Sequence, residues 1–176
     1  CNTTNFGVME AALNNLRNAG CVIVVSAGND GPNCETVNSP AAIFSGSFSV
    51  GATNSSDVIT SFSSRGAVAV DGSYRLKPNI SAPGANIRSC LKDGSFINWN
   101  GTSMAGPHVA GLVALIISAN PSLAGEVDKI EDIIEQTAVN LTSSTQSCSG
   151  IPGTSIPNNT YGYGRIDAVA AVNRAI

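Results

Sequence analysis

An α/β domain built on a mainly parallel sheet is what this sequence predicts. Three observations carry the prediction: a helical apolar repeat leads straight into a short β-branched run, the other extended stretches are brief and several stop at Gly or Pro, and one later segment is apolar around its whole helical circumference. A helix followed by a strand without polar alternation is the pattern of a sheet covered on both faces.

Each element follows from its own residues. Phe6, Met9, Leu13 and Leu16 stand at helical spacing, so a helix is expected over Phe6–Ala19, ended by Gly20 in left-handed geometry. Cys21–Ala27 (CVIVVSA) is the first strand, stopped by the turn formers Gly28, Asn29, Asp30, Gly31 and Pro32. Ser47–Thr53 is the second strand and Asn79–Ala82 the third, closed by Pro83 and Gly84. Asn86–Leu91 and Ser95–Asn100 flank Asp93 and Gly94 as a hairpin. From Ser103 to Ser118, Met104, Val109, Leu112, Val113, Leu115, Ile116 and Ile117 surround the helix, which is therefore expected to be central. Glu126–Ala138 has one apolar stripe, and Asp167 is placed to cap a last helix through Ala175; both helices are expected on the surface. Asn140–Thr160, rich in Ser, Thr, Gly, Pro and Asn, reads as a long surface loop.

Composition excludes several classes of function. At 176 residues, 43% hydrophobic and 12% charged, the chain fits one domain over residues 1–176. The net charge is -3 and the 9 basic residues are scattered, so no nucleic-acid partner is expected. The longest apolar stretch, Val109–Ala119, is well short of the roughly 18–20 residues of a membrane span, and no span is expected. Cys1, Cys21, Cys34, Cys90 and Cys148 form no C-x-x-C pair, which argues against a metal ribbon or a thioredoxin-type motif. Dispersed cysteines with low charge fit an extracellular protein with one or two disulfides, whose pairing the spacing leaves open. The chain opens at Cys1 without an initiator Met, and an upstream segment is expected. N-x-S/T triplets begin at Asn2, Asn54, Asn79, Asn100, Asn140 and Asn158, of which Asn79 and Asn100 fall in segments expected to be buried or beside the candidate nucleophile.

Two short segments carry chemistry. In Gly101-Thr102-Ser103-Met104-Ala105-Gly106-Pro107-His108 a serine opens an apolar helix, whose N-terminus presents free N–H groups and partial positive charge to an anion formed at a carbonyl under attack. A serine in that place is equally an ordinary cap, and Ala105 breaks the G-x-S-x-G pattern of α/β-hydrolases. In Ser26-Ala27-Gly28-Asn29 an amide stands at the carboxyl end of a strand, where α/β sheets bind ligands, although Asn is also a common turn residue.

The segments VVSAGNDGP, TSFSSRG, LKPNISAPG, GTSMAGPHVAGLVALI and YGYGRIDAVAAV, in this order and over nearly the whole chain, resemble the subtilisin-like serine proteases. Within the family, Cys34–Arg88 is similar to the bacillopeptidase F type. The resemblance implies a three-layer fold with a mainly parallel sheet flanked by helices, its N-terminal part missing. It implies peptide-bond hydrolysis with Ser103 as nucleophile, Asn29 and the Ser103 N–H as oxyanion donors, and Ala27 and Gly28 in the substrate-binding pocket. Polypeptide substrates follow; no cofactor is required for the chemistry, and a structural calcium is left unassigned. Sedolisins, the rival by fold, use an acid where Asn29 stands.

A serine hydroxyl needs a base, and the one histidine, His108, is five residues along the helix from Ser103, about 7.5 Å of rise and about 140° of rotation. The family's Asp and His precede its Asn-bearing strand, so the upstream half of the same catalytic domain is expected to supply them. The alternative is an incomplete remnant that binds a partner without catalysis. Asn79 and Gly106 depart from the family's frequent Asp and Ala.

Overall fold

Helix α1 (Phe6–Asn18) begins the computed structural model, which describes residues 6–176; Cys1 and the Asn2 triplet lie outside them. It ends as its repeat predicts, with Gly20 at φ 89°. Strand β1 (Val24–Ser26) follows, then β2 (Phe48–Thr53) and β3 (Ile80–Pro83), which make one parallel sheet in the order β1-β2-β3. The register pairs Val24 with Phe48 and Val50 with Ile80. A hairpin of β4 (Ile87–Cys90) and β5 (Phe96–Trp99), turning at Gly94, leads to α2 (Thr102–Ala119). Helix α3 (Val127–Gln136), the two-residue strands β6 (Ser147–Cys148) and β7 (Ile151–Pro152), and α4 (Ala168–Ala175) complete the chain. The Asp167 carboxylate accepts from Ala170 N–H at 2.9 Å, the expected cap of α4.

The sheet separates two cores. Phe48, Val50, Ala52, Ile80 and Ala82 face α2, α3 and α4, while Ile23, Val25 and Ala27 face Leu13 of α1 with Val37, Ile43 and Phe44. Alternation along β1 sends Val22 and Val24 one way and Ile23 and Val25 the other, as strand geometry requires. Every residue of central β2 is buried. Arg17, at the end of α1, ties this layer to α3 through Glu131 at 2.7 Å and Asp128 at 2.5 Å.

Three expectations need correction. β1 is shorter than Cys21–Ala27 and only half-buried, because the sheet order leaves its outer side without a partner strand among the described residues. α2 is covered on one face only: Ala105, Val109, Leu112 and Ile116 are buried, but Leu115 is 53% exposed. At 18 residues and mean hydropathy 1.5, α2 is also long and apolar enough to cross a membrane, because its Thr, Ser and Gly interrupt the apolar run without lowering the average much. Its packing against β1, β2, β3 and α4 makes it a core helix of this fold. Finally, Asn158, Asn159 and Thr160 are buried rather than part of a surface loop. Asn158 satisfies the backbone there itself, donating to Leu141 O and Ser155 O and accepting from Thr160 and Tyr161 N–H.

Candidate active site

Two chain segments 73 residues apart meet at the carboxyl end of β1. Thr102, wholly buried in the first turn of α2, donates its N–H to Asn29 Oδ1 at 2.9 Å. Its hydroxyl lies 3.0 Å from the same oxygen and 3.2 Å from Gly28 O. The carbonyl end of the Asn29 amide is thereby fixed, and its Nδ2 makes no hydrogen bond among the described residues. Ser103, next in the chain, is exposed at the helix N-terminus, and its side chain reaches a cavity of about 390 Å³. Ile87, Ile97, Trp99, Met104 and His108 line the same cavity.

Glycines shape the backbone around this meeting point. Gly101 stands at φ 153° just before α2, and a Cβ there would lie 3.7 Å from Ser103 N and 3.8 Å from Asn29 Oδ1. Gly101 thus lies between the start of α2 and the Asn29 side chain. Gly84 anchors the turn from behind, accepting from Gly101 N–H at 2.8 Å; a Cβ on it would meet Ala52 Cβ at 2.6 Å. Gly28, at φ 112°, leaves room for Ser64, whose Oγ a Cβ would meet at 2.7 Å.

The remaining site residues fall as follows. Ala27 is 1% exposed with its side chain in the α1 core, so it can present only backbone to a ligand. His108 Nδ1 lies 2.9 Å from Met104 O on its own helix, turned to the backbone and not to the Ser103 hydroxyl. No group of three or more His, Cys, Asp or Glu that could hold a metal ion occurs among the described residues.

Sequence reasoning passed over Thr102 and Ser64. Ser64, fully buried, accepts from Asp30 N–H at 3.0 Å, and its own N–H donates to Gly28 O at 2.9 Å. Its segment TSFSSRG carried the resemblance, but nothing local showed that it holds the turn bearing Asn29.

Residues 2–164 match the subtilase family of peptidases. The chain belongs to that family. Among curated relatives, bacillopeptidase F of Bacillus subtilis (strain 168) is 44% identical over 128 residues, 72% of this chain and 8% of that protein. Subtilisin of Bacillus pumilus is 36% identical over 143 residues, 80% of this chain and 48% of that protein. The chain thus spans less than half the length of either relative. The solved structure of the patellamide maturation protease PatA superposes with a TM-score of 0.74 over 96% of this chain and 56% of that one, at 24% identity, which shows the subtilisin-like fold.

Proposed function

We propose that this chain is the nucleophile-bearing part of a subtilisin-like serine endopeptidase. The observation that carries the reading is the clamp of Thr102, the residue before Ser103 at a helix N-terminus, on Asn29 Oδ1, with Nδ2 left without a hydrogen-bond partner among the described residues. Donors held in place before charge develops are what stabilises an acyl-transfer transition state, since no reorganisation is then needed. Ser103 Oγ attacks the peptide carbonyl, the oxyanion is held by Asn29 Nδ2 and the Ser103 N–H, the amine leaves, and water hydrolyses the acyl-enzyme. Gly28 and the backbone of Ala27 form one wall of the substrate-binding pocket.

The proton of Ser103 goes to a histidine oriented by an aspartate, both supplied by a segment preceding residue 1. In support, His108 Nδ1 lies against Met104 O, β1 has no partner strand on its outer side among the described residues, and Leu115 is exposed on the outer side of α2. No cofactor enters this chemistry. An extracellular home accords with the Cys34–Cys148 disulfide.

The test is hydrolysis of casein and fluorogenic peptides by the intact protein, with Ser103→Ala as control. Turnover that disappears in the variant supports the protease. A folded intact protein that binds peptides without turnover would favour the noncatalytic remnant.

A further inference from the structure

Cys34, five residues beyond Asn29, is bonded to Cys148 across 114 positions of sequence. The loop that contains Cys148 grips the turn after β1 at further points. Gln146 Nε2–H donates to Pro32 O at 2.9 Å while its Oε1 accepts from Arg65, and Ser149 Oγ–H donates to Glu35 at 2.9 Å. Segment 62–66 lies between the two: Gly31 N–H donates to Phe62 O at 2.9 Å, Glu35 N–H to Gly66 O at 3.0 Å, and Gly66 N–H to Asn159 O at 2.9 Å. Ser64 then fastens Gly28 and Asp30, the residues on either side of Asn29.

We propose that the Cys34–Cys148 disulfide, with Gln146 and Ser149, is a positioning element for Asn29, and that it makes the oxyanion site sensitive to thiol reductants. The proposal rests on the oxyanion reading above and adds a regulation of the same site. Thr102 fixes only one end of the Asn29 side chain; the direction of Nδ2 depends on where the backbone of the turn lies. Displacement by about 1 Å at such a site costs on the order of 10²-fold in rate. A dithiol reductant opens the bond by delivering two electrons and two protons, leaving Cys34 and Cys148 as thiols and itself as a disulfide. The 30–37 turn then loses its covalent tie to the loop and is left to its hydrogen bonds with segment 62–66, which open more often without it.

A cross-link closing so long a loop also stabilises the whole fold, and the test separates the two roles. The intact protein is compared oxidised, reduced with dithiothreitol, and as Cys34→Ser/Cys148→Ser, by amide hydrogen exchange and by kcat and KM on a fluorogenic peptide. The expected result is faster exchange confined to residues 28–37 and 62–67, with β2 and α3 as protected as before. With it, kcat falls about tenfold or more, KM stays within about twofold, and Gln146→Leu gives the same pattern more weakly. Exchange that rises uniformly, or an open disulfide with kcat unchanged, overturns the proposal. Should the oxidised protein hydrolyse nothing, the protease reading fails, while the exchange pattern still decides whether the disulfide holds the Asn29 turn.

Discussion

The two faces of α2 are built from similar residues and meet different surroundings. On one, Ala105, Val109, Leu112 and Ile116 sink into the core against β2, β3 and α4; on the other, Ala110, Ala114 and Leu115 lie open. That open side also carries the exposed Ser103, His108 and Ser118, so its apolar part is the stretch of Ala110, Gly111, Ala114 and Leu115. Ser103, exposed at the N-terminus of α2, lies on the same open side as Ala110 and Ala114, seven and eleven residues on.

The largest effect expected from this contrast is on stability. Ile116→Ala should lower the unfolding free energy by about 2–5 kcal/mol, whereas Leu115→Ala, one residue on, should stay within about 0.5 kcal/mol when this chain is denatured alone in urea. In the intact protein, where we propose the open face is covered, the cost of Leu115→Ala should rise towards that of Ile116→Ala. A persistent difference there would mean that the outer face of α2 is a true surface.

Asn29→Ala should lower kcat by about 10²–10³, the magnitude found for such a donor in subtilisin itself, and should also lower the melting temperature of the intact protein, because it removes the acceptor of the buried Thr102 N–H. An unchanged kcat would remove Asn29 from the oxyanion site.

Away from α2, Lys77 and Glu135 form a pH-sensitive pair. Lys77, 2% exposed, donates to Ser47 O at 2.5 Å and Asn79 Oδ1 at 2.7 Å, both neutral, and burial pulls its amine from 10.5 down to about 7. Across the Asn79 amide, burial lifts the Glu135 carboxyl from 4.5 up to about 7. Between pH 7 and 10.5 the unfolded lysine binds more protons than the folded one, so its contribution to stability rises with pH; between 4.5 and 7 the folded glutamate binds more, so its contribution falls. Together they give a stability minimum near pH 7. Lys77→Met should flatten the alkaline limb and Glu135→Gln the acid limb in denaturation curves; an unaltered profile in both variants would contradict the assignment.

The smallest effect is at Gly106, where an added Cβ would meet only Ser26 Oγ at 3.8 Å. Gly106→Ala should therefore stabilise by a few tenths to about 1 kcal/mol, read as a small rise in melting temperature. A fall would mean that the start of α2 is tighter than its contacts indicate.

Local signals and long-range partners divide what the sequence made legible. The end of α1 at Gly20, the hairpin before α2 and the Asp167 cap were readable because each depends on residues within a turn of one another. The burial of Lys77 and of Asn158–Thr160 was not, because polar composition records what a residue is and not which distant backbone group satisfies it. The same division holds at the site. Ser103 and Asn29 were legible as motifs, while Thr102 and Ser64, which hold Asn29 and its flanking residues in place, act across 73 and about 35 positions and look locally like any other hydroxyl residue. The disulfide partner of Cys34 was open for the same reason.

The central claim is that Ser103 stands in a half-site completed by a preceding segment. Its most direct test is labelling with a fluorophosphonate probe, mapped by mass spectrometry, on this chain alone and on the intact protein, with Ser103→Ala as control. The chain alone should stay unlabelled, and the intact protein should be labelled at Ser103. Labelling of the isolated chain at Ser103, or none in a folded intact protein, would contradict it.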